Sequence, residues 1–446
     1  MAVAVASARS DNGDPLYQVT GVDQDTEVGR ERMAMLGRGE FPFRTTDPSL
    51  VEATSRCHAQ GNLTTTTDES AYDEADVVVV DIPLDIPFLD DAPQFDMADF
   101  ENAFRGVVRR VPAGALILIE TTVPPGTCER ILMPILIEEL DVRGLDKSAI
   151  HLAHSYERVM PGENYLHSIT HFWRVYAGAT LRAADACKTF LSTIIDVEQY
   201  PLTRLSSTTA SETAKLMENT YRAANIAFID EWTKYSEAIG IDLYEVIDAI
   251  RVRPTHSNIR FPGVGVGGYC LTKDPAFVPA AARQFFSKPG LDFPFSLLSL
   301  KINQAMPLHA VDRLKTLLSG EVKEKNILLL GVSYRQDIGD TRYSPVEQFA
   351  RELIQAGSRV QAYDPFVSYW PEMDMPLPPA MPPPSSVDAV VFTTPHKELK
   401  KLDLVSWLDG CQPVILDTVN VVSKLQREQC RSLGVQIESI GRGDGL

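Results

Sequence analysis

The sequence predicts an α/β protein in which two Rossmann-like doubly wound domains are joined by a central helical domain. Residues 76–82 (DVVVVDI) and 115–119 (ALILI) are continuous apolar runs of the length of a buried parallel strand, with a helix-period segment, 97–110, between them. Residues 209–238 keep a helical period with few breakers. From residue 325 a second alternation of strand-like and helical segments begins. A chain of 446 residues has room for two or three cores, and boundaries are expected at 1–198, 199–320 and 321–446.

Composition narrows the class. A net charge of -18 argues against a nucleic-acid groove or an anionic membrane as partner. Cys57, Cys128, Cys187, Cys270, Cys411 and Cys430 show neither a CxxC pair nor metal-ligand spacing, so reduced thiols in a cytoplasmic protein without a metal site are expected. The opening MAVAVASARS lacks a basic n-region and reads as the tail of a helix rather than a signal peptide. No window is long and apolar enough to span a membrane.

Taken in order, residues 17–22 form a short β-rich run ending at Asp23. An acidic residue closing the second strand of a Rossmann unit accepts hydrogen bonds from an adenosine ribose; a solvated turn aspartate is the simpler alternative. A first strand and a GxGxxG turn are expected ahead of a helix such as AVAVASA, yet the sequence opens inside that helix. The N-terminal domain is therefore expected to be truncated, without that strand and turn. Arg30 is the nearest candidate for a basic residue a few positions beyond Asp23.

The apolar run at 115–119 leads into ETTVPPGT (120–127) at a strand's carboxyl end, where open α/β sheets bind ligands. Thr122 is a candidate contact there, or a turn former. Thr209 and Glu212 read as a capping box opening the long helix. Lys215, Asn219 and Arg222 fall at i, i+4 and i+7 on one face, which suits a diphosphate sugar or a merely solvated surface.

Residues 261–274, FPGVGVGGYCLTKD, place Gly263, Gly265, Gly267 and Gly268 ahead of one thiol, Cys270, with Lys273 and Asp274 behind it. Glycines let a ligand approach backbone N–H groups, and a neighbouring cation lowers a thiol pKa toward the reactive thiolate. Taken alone, the same residues also describe a glycine-rich turn with an inert cysteine. A long helix at 295–318 follows, then strand-like runs at 325–331, 359–363, 389–394 and 414–418, with a proline-rich surface connection at 376–384.

Together these segments resemble the UDP-glucose/GDP-mannose dehydrogenase family. ETTVPPGT is similar to its Ser-Thr-Val-Pro-x-Gly-Thr turn, and SYERVMPG (155–162) to its Ser-Pro-Glu-Arg-x-x-Pro-Gly segment, with Tyr156 in place of proline. ETAKLMEN (212–219) resembles its Glu-x-x-Lys-x-x-x-Asn helix, and GGYCLTKD (267–274) its Gly-Gly-x-Cys-x-x-Lys-Asp loop. GVSYRQDIGDTRYSP (331–345) resembles its Gly-x-x-Tyr-Lys run, with Arg335 for lysine, which exchanges a point charge for a planar fork. Asn303, Met306, Pro307, Asp364, Pro365, Asp417 and Thr418 match as well.

The resemblance implies an NAD-dependent nucleotide-sugar 6-dehydrogenase that converts a C6 alcohol to a uronic acid through a cysteine thiohemiacetal and thioester. It implies catalytic roles for Cys270, Lys215, Glu157, Asn219, Asp274 and Thr122. Cofactor contacts fall to Asp23, Arg30, Thr122, Lys273 and Arg342, and substrate contacts to Lys215, Asn219, Arg222, Gly267, Tyr269 and Arg335. It further implies a UDP-holding C-terminal domain and a homodimer paired through the central helices. Arg158, Pro161, Gly162 and the Arg222-AANIA run are similar to the branch acting on UDP-N-acetylhexosamines. UDP-glucose as substrate stays open as an alternative, as does a redox-inactive UDP-sugar-binding protein lacking the phosphate turn.

Overall fold

The computed structural model describes residues 1–43, 45–86, 93–159 and 162–443. They divide into two compact units, Met1–Glu218 with Ala276–Asp292, and Asn219–Pro275 with Phe293–Leu446.

In the first unit, β1 (Val19–Val22) pairs in parallel with β2 (Leu63–Thr66). Strands β3 (Val77–Val80), β4 (Leu116–Ile119), β5 (His151–His154), β6 (Val175–Gly178) and β7 (Thr203–Arg204) follow in that order across a five-stranded sheet. The sheet is parallel except at the β5–β6 step. All four β4 residues are buried, as helices on both faces of a parallel sheet require, which is why the segment is wholly aliphatic. The Ala98–Arg110 helix between β3 and β4 buries Phe100, Phe104, Val107 and Val108, one stripe at helical spacing.

The opening helix, Ala2–Ser7, serves two cores. Val3 and Ala6 join Leu50, Ala53, Cys57 and Leu63. Ala4 and Val5 join Leu116, Leu118 and Tyr176. A helix apolar all round is a helix covered all round.

The predicted long helix is present as Thr208–Ile239, but the expected capping box is not. Ser207 Oγ accepts the Ala210 N–H at 3.1 Å and so caps the start, which leaves the Glu212 carboxylate for another task.

The second unit carries β8 (Asn326–Leu330), β9 (Arg359–Tyr363), a small hairpin of β10 (Tyr369–Trp370) and β11 (Met375–Pro376), then β12 (Ala389–Phe392), β13 (Val414–Asp417) and β14 (Ile437–Ser439). The order β14-β13-β12-β8-β9 is parallel throughout and reverses direction of growth between β8 and β12. Ligands bind at the carboxyl ends of strands at such a reversal. The proline-rich stretch is less of a free surface connection than expected: Pro376 pairs with Tyr369, and Leu377 and Pro384 are buried. Behind the long helix, Leu243 N–H donates to Gly441 O at 2.9 Å and Arg442 Nε to Asp242 at 2.7 Å, so the last described residues fasten the turn after that helix.

Candidate active site

The first unit brings two loops to the opening turns of the long helix. The turn after β4 is held at one end by Thr121, whose hydroxyl donates to Ile82 O at 2.8 Å, and at the other by Thr127, donating to Pro124 O at 2.7 Å. Glu212 receives the N–H groups of Gly126 at 2.6 Å and Cys128 at 2.8 Å. Burial pushes the Glu212 carboxyl up to about 7 against the opposing pull of those donors. Among residues 120–128 Thr122 alone is not buried, so the turn presents a hydroxyl at the strand's carboxyl end. Beneath it Glu120 and Arg174 form a buried ion pair, and burial lowers Arg174 to about 10.

The segment after β5 is tied to the same helix. Lys215, 7 % exposed, donates from Nζ to Glu157 O at 2.8 Å and lies 3.5 Å from the Glu157 carboxylate. Arg158 pairs with Glu218 one turn further on. Tyr156 is buried, with the Lys215 ammonium 5.5 Å from its ring centre, so the substitution fills space beside the lysine. His154 Nδ1 shares a 2.8 Å hydrogen bond with Ser211 Oγ, and burial, with Lys215 adding, drives its pKa down to about 3. His154 is therefore neutral at physiological pH. Gly162 is described here; Pro161 of the same sequence match lies outside the described residues.

In the second unit a buried polar cluster stands behind the thiol. Asp274, at the head of the Asp274–Gln284 helix, accepts Asn219 Nδ2 at 2.7 Å and Lys273 Nζ at 3.0 Å. All three side chains are buried, whereas Cys270 is half-exposed. Lys273 also lies 4.3 Å from the Tyr269 ring centre. Buried charges require partners, and this arrangement supplies them beside a half-buried Cys270. Arg222, on the same helix as Asn219, is exposed. Burial, then Arg222 and Arg251, lower the Arg260 pKa, which marks a cationic patch the sequence reading overlooked.

Three of the thiol-loop glycines pack against protein on the side where a Cβ would stand. A Cβ on Gly267 would stand 2.6 Å from Tyr334 Cβ and 2.8 Å from Pro345 Cδ. One on Gly268, where φ is +83°, would stand 2.8 Å from the Tyr334 ring, and one on Gly265 2.5 Å from Pro345. Only at Gly263, among these four, is the space open. The thiol loop thus lies directly against the loop that follows β8. That second loop is ordered from below by Asp364, whose Oδ2 accepts the N–H groups of Val332 at 2.8 Å and Ser333 at 3.1 Å. His396, fully buried, lies 3.0 Å from the same oxygen through Nε2 and accepts the Asp337 N–H on Nδ1. Arg335 is half-buried on this loop, and Arg342 is engaged by Asp340 at 2.7 Å, a contact that raises its pKa.

The dinucleotide implied by the sequence can be tested against these residues. Asp23 closes β1 with its side chain about a third exposed, accepts the Gln24 N–H at 2.8 Å and lies 3.9 Å from Arg32. Its carboxylate has room for ribose hydroxyls. Arg30 turns instead to Asp25 at 2.6 Å, so Arg32 is the nearer cation. Asp23 and Thr122 both stand at strand carboxyl ends, where open α/β sheets bind ligands. Residues 1–22 hold glycine only at 13 and 21, so these residues contain no GxGxxG turn. Among the described residues no cluster of side chains has the make-up of a metal site, and no helix is long and apolar enough to cross a membrane.

Comparison with known proteins agrees with this division of labour. Residues 9–194 match the NAD binding domain of the UDP-glucose/GDP-mannose dehydrogenase family, 209–304 its central domain and 328–424 its UDP binding domain. A UDP-N-acetyl-D-mannosamine dehydrogenase of Methanocaldococcus jannaschii is 29% identical over 431 residues, covering 96% of this chain and 92% of its own. The enzyme of the same name from Pyrococcus horikoshii is 31% identical over 355 residues, 78% of each chain. The solved structure of UDP-D-ManNAc dehydrogenase from Pyrococcus horikoshii superposes with a TM-score of 0.82 at 26% identity, covering 99% of this chain and 96% of that one. That of the S. aureus UDP-N-acetyl-mannosamine dehydrogenase gives 0.78 at 27%, covering 100% and 96%. With three domain matches in sequence along most of its length, the chain belongs to the UDP-glucose/GDP-mannose dehydrogenase family and is an NAD-dependent nucleotide-sugar dehydrogenase.

Proposed function

We propose that the protein oxidises the C6 alcohol of a UDP-N-acetylhexosamine to the uronic acid, with Cys270 as covalent nucleophile. The observation that carries this reading is the buried Asn219–Asp274–Lys273 cluster behind a half-exposed thiol. The substrate class is taken from the relatives, several of which are named UDP-N-acetyl-D-mannosamine dehydrogenases. NAD+ would supply the hydride acceptor twice; the residues assigned to hold it are Asp23 and Thr122, with Arg30 or Arg32, in the first unit and Lys273 and Arg342 in the second.

The chain's own residues manage sulfur, protons and water. Loss of hydride from C6 and of the hydroxyl proton leaves an aldehyde, and the Cys270 thiolate adds to it, forming a C–S bond. The resulting oxyanion takes a proton, and Lys215 and Asn219, one helical turn apart, stabilise it as preorganised donors. A second loss of hydride from C6, with the hydroxyl proton, turns this thiohemiacetal into a thioester. Glu157 and Thr122 order a water that adds to the thioester; the C–S bond breaks and the thiolate is restored. Asp274 holds Asn219 in place and takes part in moving protons. Gly267, Tyr269, Arg222 and Arg335 bind the sugar nucleotide. The balance is one alcohol, one water and two NAD+ to one carboxylate, two NADH and three protons.

Purified protein is expected to produce two NADH per acid formed and to prefer UDP-N-acetylmannosamine or UDP-N-acetylglucosamine over UDP-glucose. One NADH per sugar with free aldehyde would remove the covalent scheme, and a preference for UDP-glucose would remove the substrate assignment.

The reading includes a homodimer and a cytoplasmic setting. In support of the first, Phe228, Trp232, Tyr235 and Ile239 line one exposed face of the long helix, each 45–52% exposed, at spacings of four, three and four. An apolar stripe of that kind suits a second copy of the helix. Replacing both Phe228 and Trp232 with aspartate is expected to shift the mass by light scattering from dimer to monomer; a wild-type monomer at micromolar concentration would defeat the dimer. In support of the second, all six cysteines are free.

A further inference from the structure

We propose that Glu212 is a positioning residue for cofactor binding, acting through the turn that presents Thr122. The inference rests on the function proposed above, in which Thr122 contacts the dinucleotide. Glu212 is 1 % exposed, and a carboxylate at such a depth is costly unless its oxygens are used. Both are: the Gly126 and Cys128 N–H groups converge on them at 2.6 and 2.8 Å. In the ionised form these are charge-assisted bonds to backbone, the strong kind, and they lock the carboxyl side of the turn. Gly126, at φ +94°, sits where a Cβ would be 2.9 Å from the Phe286 ring, so the turn is closed in from that side too. The outcome is a stretch in which Thr122 alone escapes burial.

The same helical turns hold the other loop: Ser211 bonds His154, and Lys215 bonds Glu157 O. One short piece of helix therefore sets the turn bearing Thr122 and the ammonium of Lys215 in a fixed relation. The high Glu212 pKa agrees with a carboxylate kept in an apolar setting for its geometry. An anchor needed only for stability is served as well by apolar packing, which often matches or exceeds a buried ionic contact.

The test compares wild type, Glu212→Gln and Glu212→Ala by calorimetric titration with NAD+ alone and with UDP alone, followed by steady-state kinetics. Losing one or both charge-assisted bonds is expected to weaken NAD+ binding on the order of 10- to 100-fold, with UDP affinity unchanged within about twofold. KM for NAD+ should rise more than kcat falls, and Glu212→Asp should restore part of the affinity. NAD+ affinity equal to wild type in both variants would overturn the proposal. So would parallel loss of NAD+ and UDP binding, or failure of even the near-isosteric Glu212→Gln to fold, since the residue would then serve the fold as a whole. A wild-type protein that binds NAD+ but oxidises no nucleotide sugar would remove the proposed function and leave this comparison standing.

Discussion

Cys270→Ser is expected to lower uronic acid formation by a factor on the order of 10⁴ to 10⁶, the scale seen when a covalent nucleophile is removed. The hydroxyl is a poor nucleophile at neutral pH, and the ester it would form is a poor acyl donor to water compared with a thioester. The side chain is half-buried, and the buried polar cluster behind it is built from Asn219, Lys273 and Asp274. The thermal midpoint should therefore stay within about 2 °C of wild type, consistent with a substitution outside the core. Acid is measured chromatographically against NADH production; acid formed by the variant at the wild-type rate would show that the sulfur is not on the path.

Gly267→Ala is expected to have the second largest effect, lowering kcat/KM for the sugar nucleotide about 10²-fold. The added methyl would meet Tyr334 Cβ at 2.6 Å and both Pro345 Cδ and the Tyr343 carbonyl oxygen at 2.8 Å. One of these is backbone and another a ring fused to it, so the strain is relieved by moving the thiol loop, the loop that follows β8 or both. Displacement of about 1 Å at a reacting group costs this much. Gly263→Ala, on the same loop with nothing within 4 Å of its added Cβ, should cost far less. Equal kinetics for the two alanine variants would mean that the contact with Tyr334 does not govern the thiol.

Much of the fold was legible because burial in a parallel sheet leaves a plain signal. The runs at 77–80, 116–119 and 327–330 are aliphatic on both faces, and they lie in strands β3, β4 and β8. The helix boundaries at 208–239 and 294–317 fell within one residue of their expected positions. The site was legible as a set of residue types in order, but not as a set of contacts. Glu212 looked like a cap because it lies three residues after a threonine; its real partners are N–H groups more than eighty residues earlier in the chain. Its spacing of three from Lys215 and seven from Asn219, one helix face, was the clue that it belonged with them. The packing of Tyr334 and Pro345 against the glycines was not legible, because only three dimensions reveal what occupies the place of a missing Cβ. The pairing of Asp364 with His396 carried no local signal: thirty-two residues separate them, and only the return of the chain to the other side of β8 makes them neighbours.

The contact of Gly265, Gly267 and Gly268 with Pro345 and Tyr334 makes the wall that bears the sulfur continuous with the wall proposed to grip the nucleotide. Two anchor points on one stiff surface behave as a caliper, set to a single span between base and oxidised carbon. If the proposed grip on the nucleotide holds, a hexosamine carried on one phosphate instead of two, or on none, is expected to fall short of that gauge and to react more slowly than the diphosphate-linked sugar.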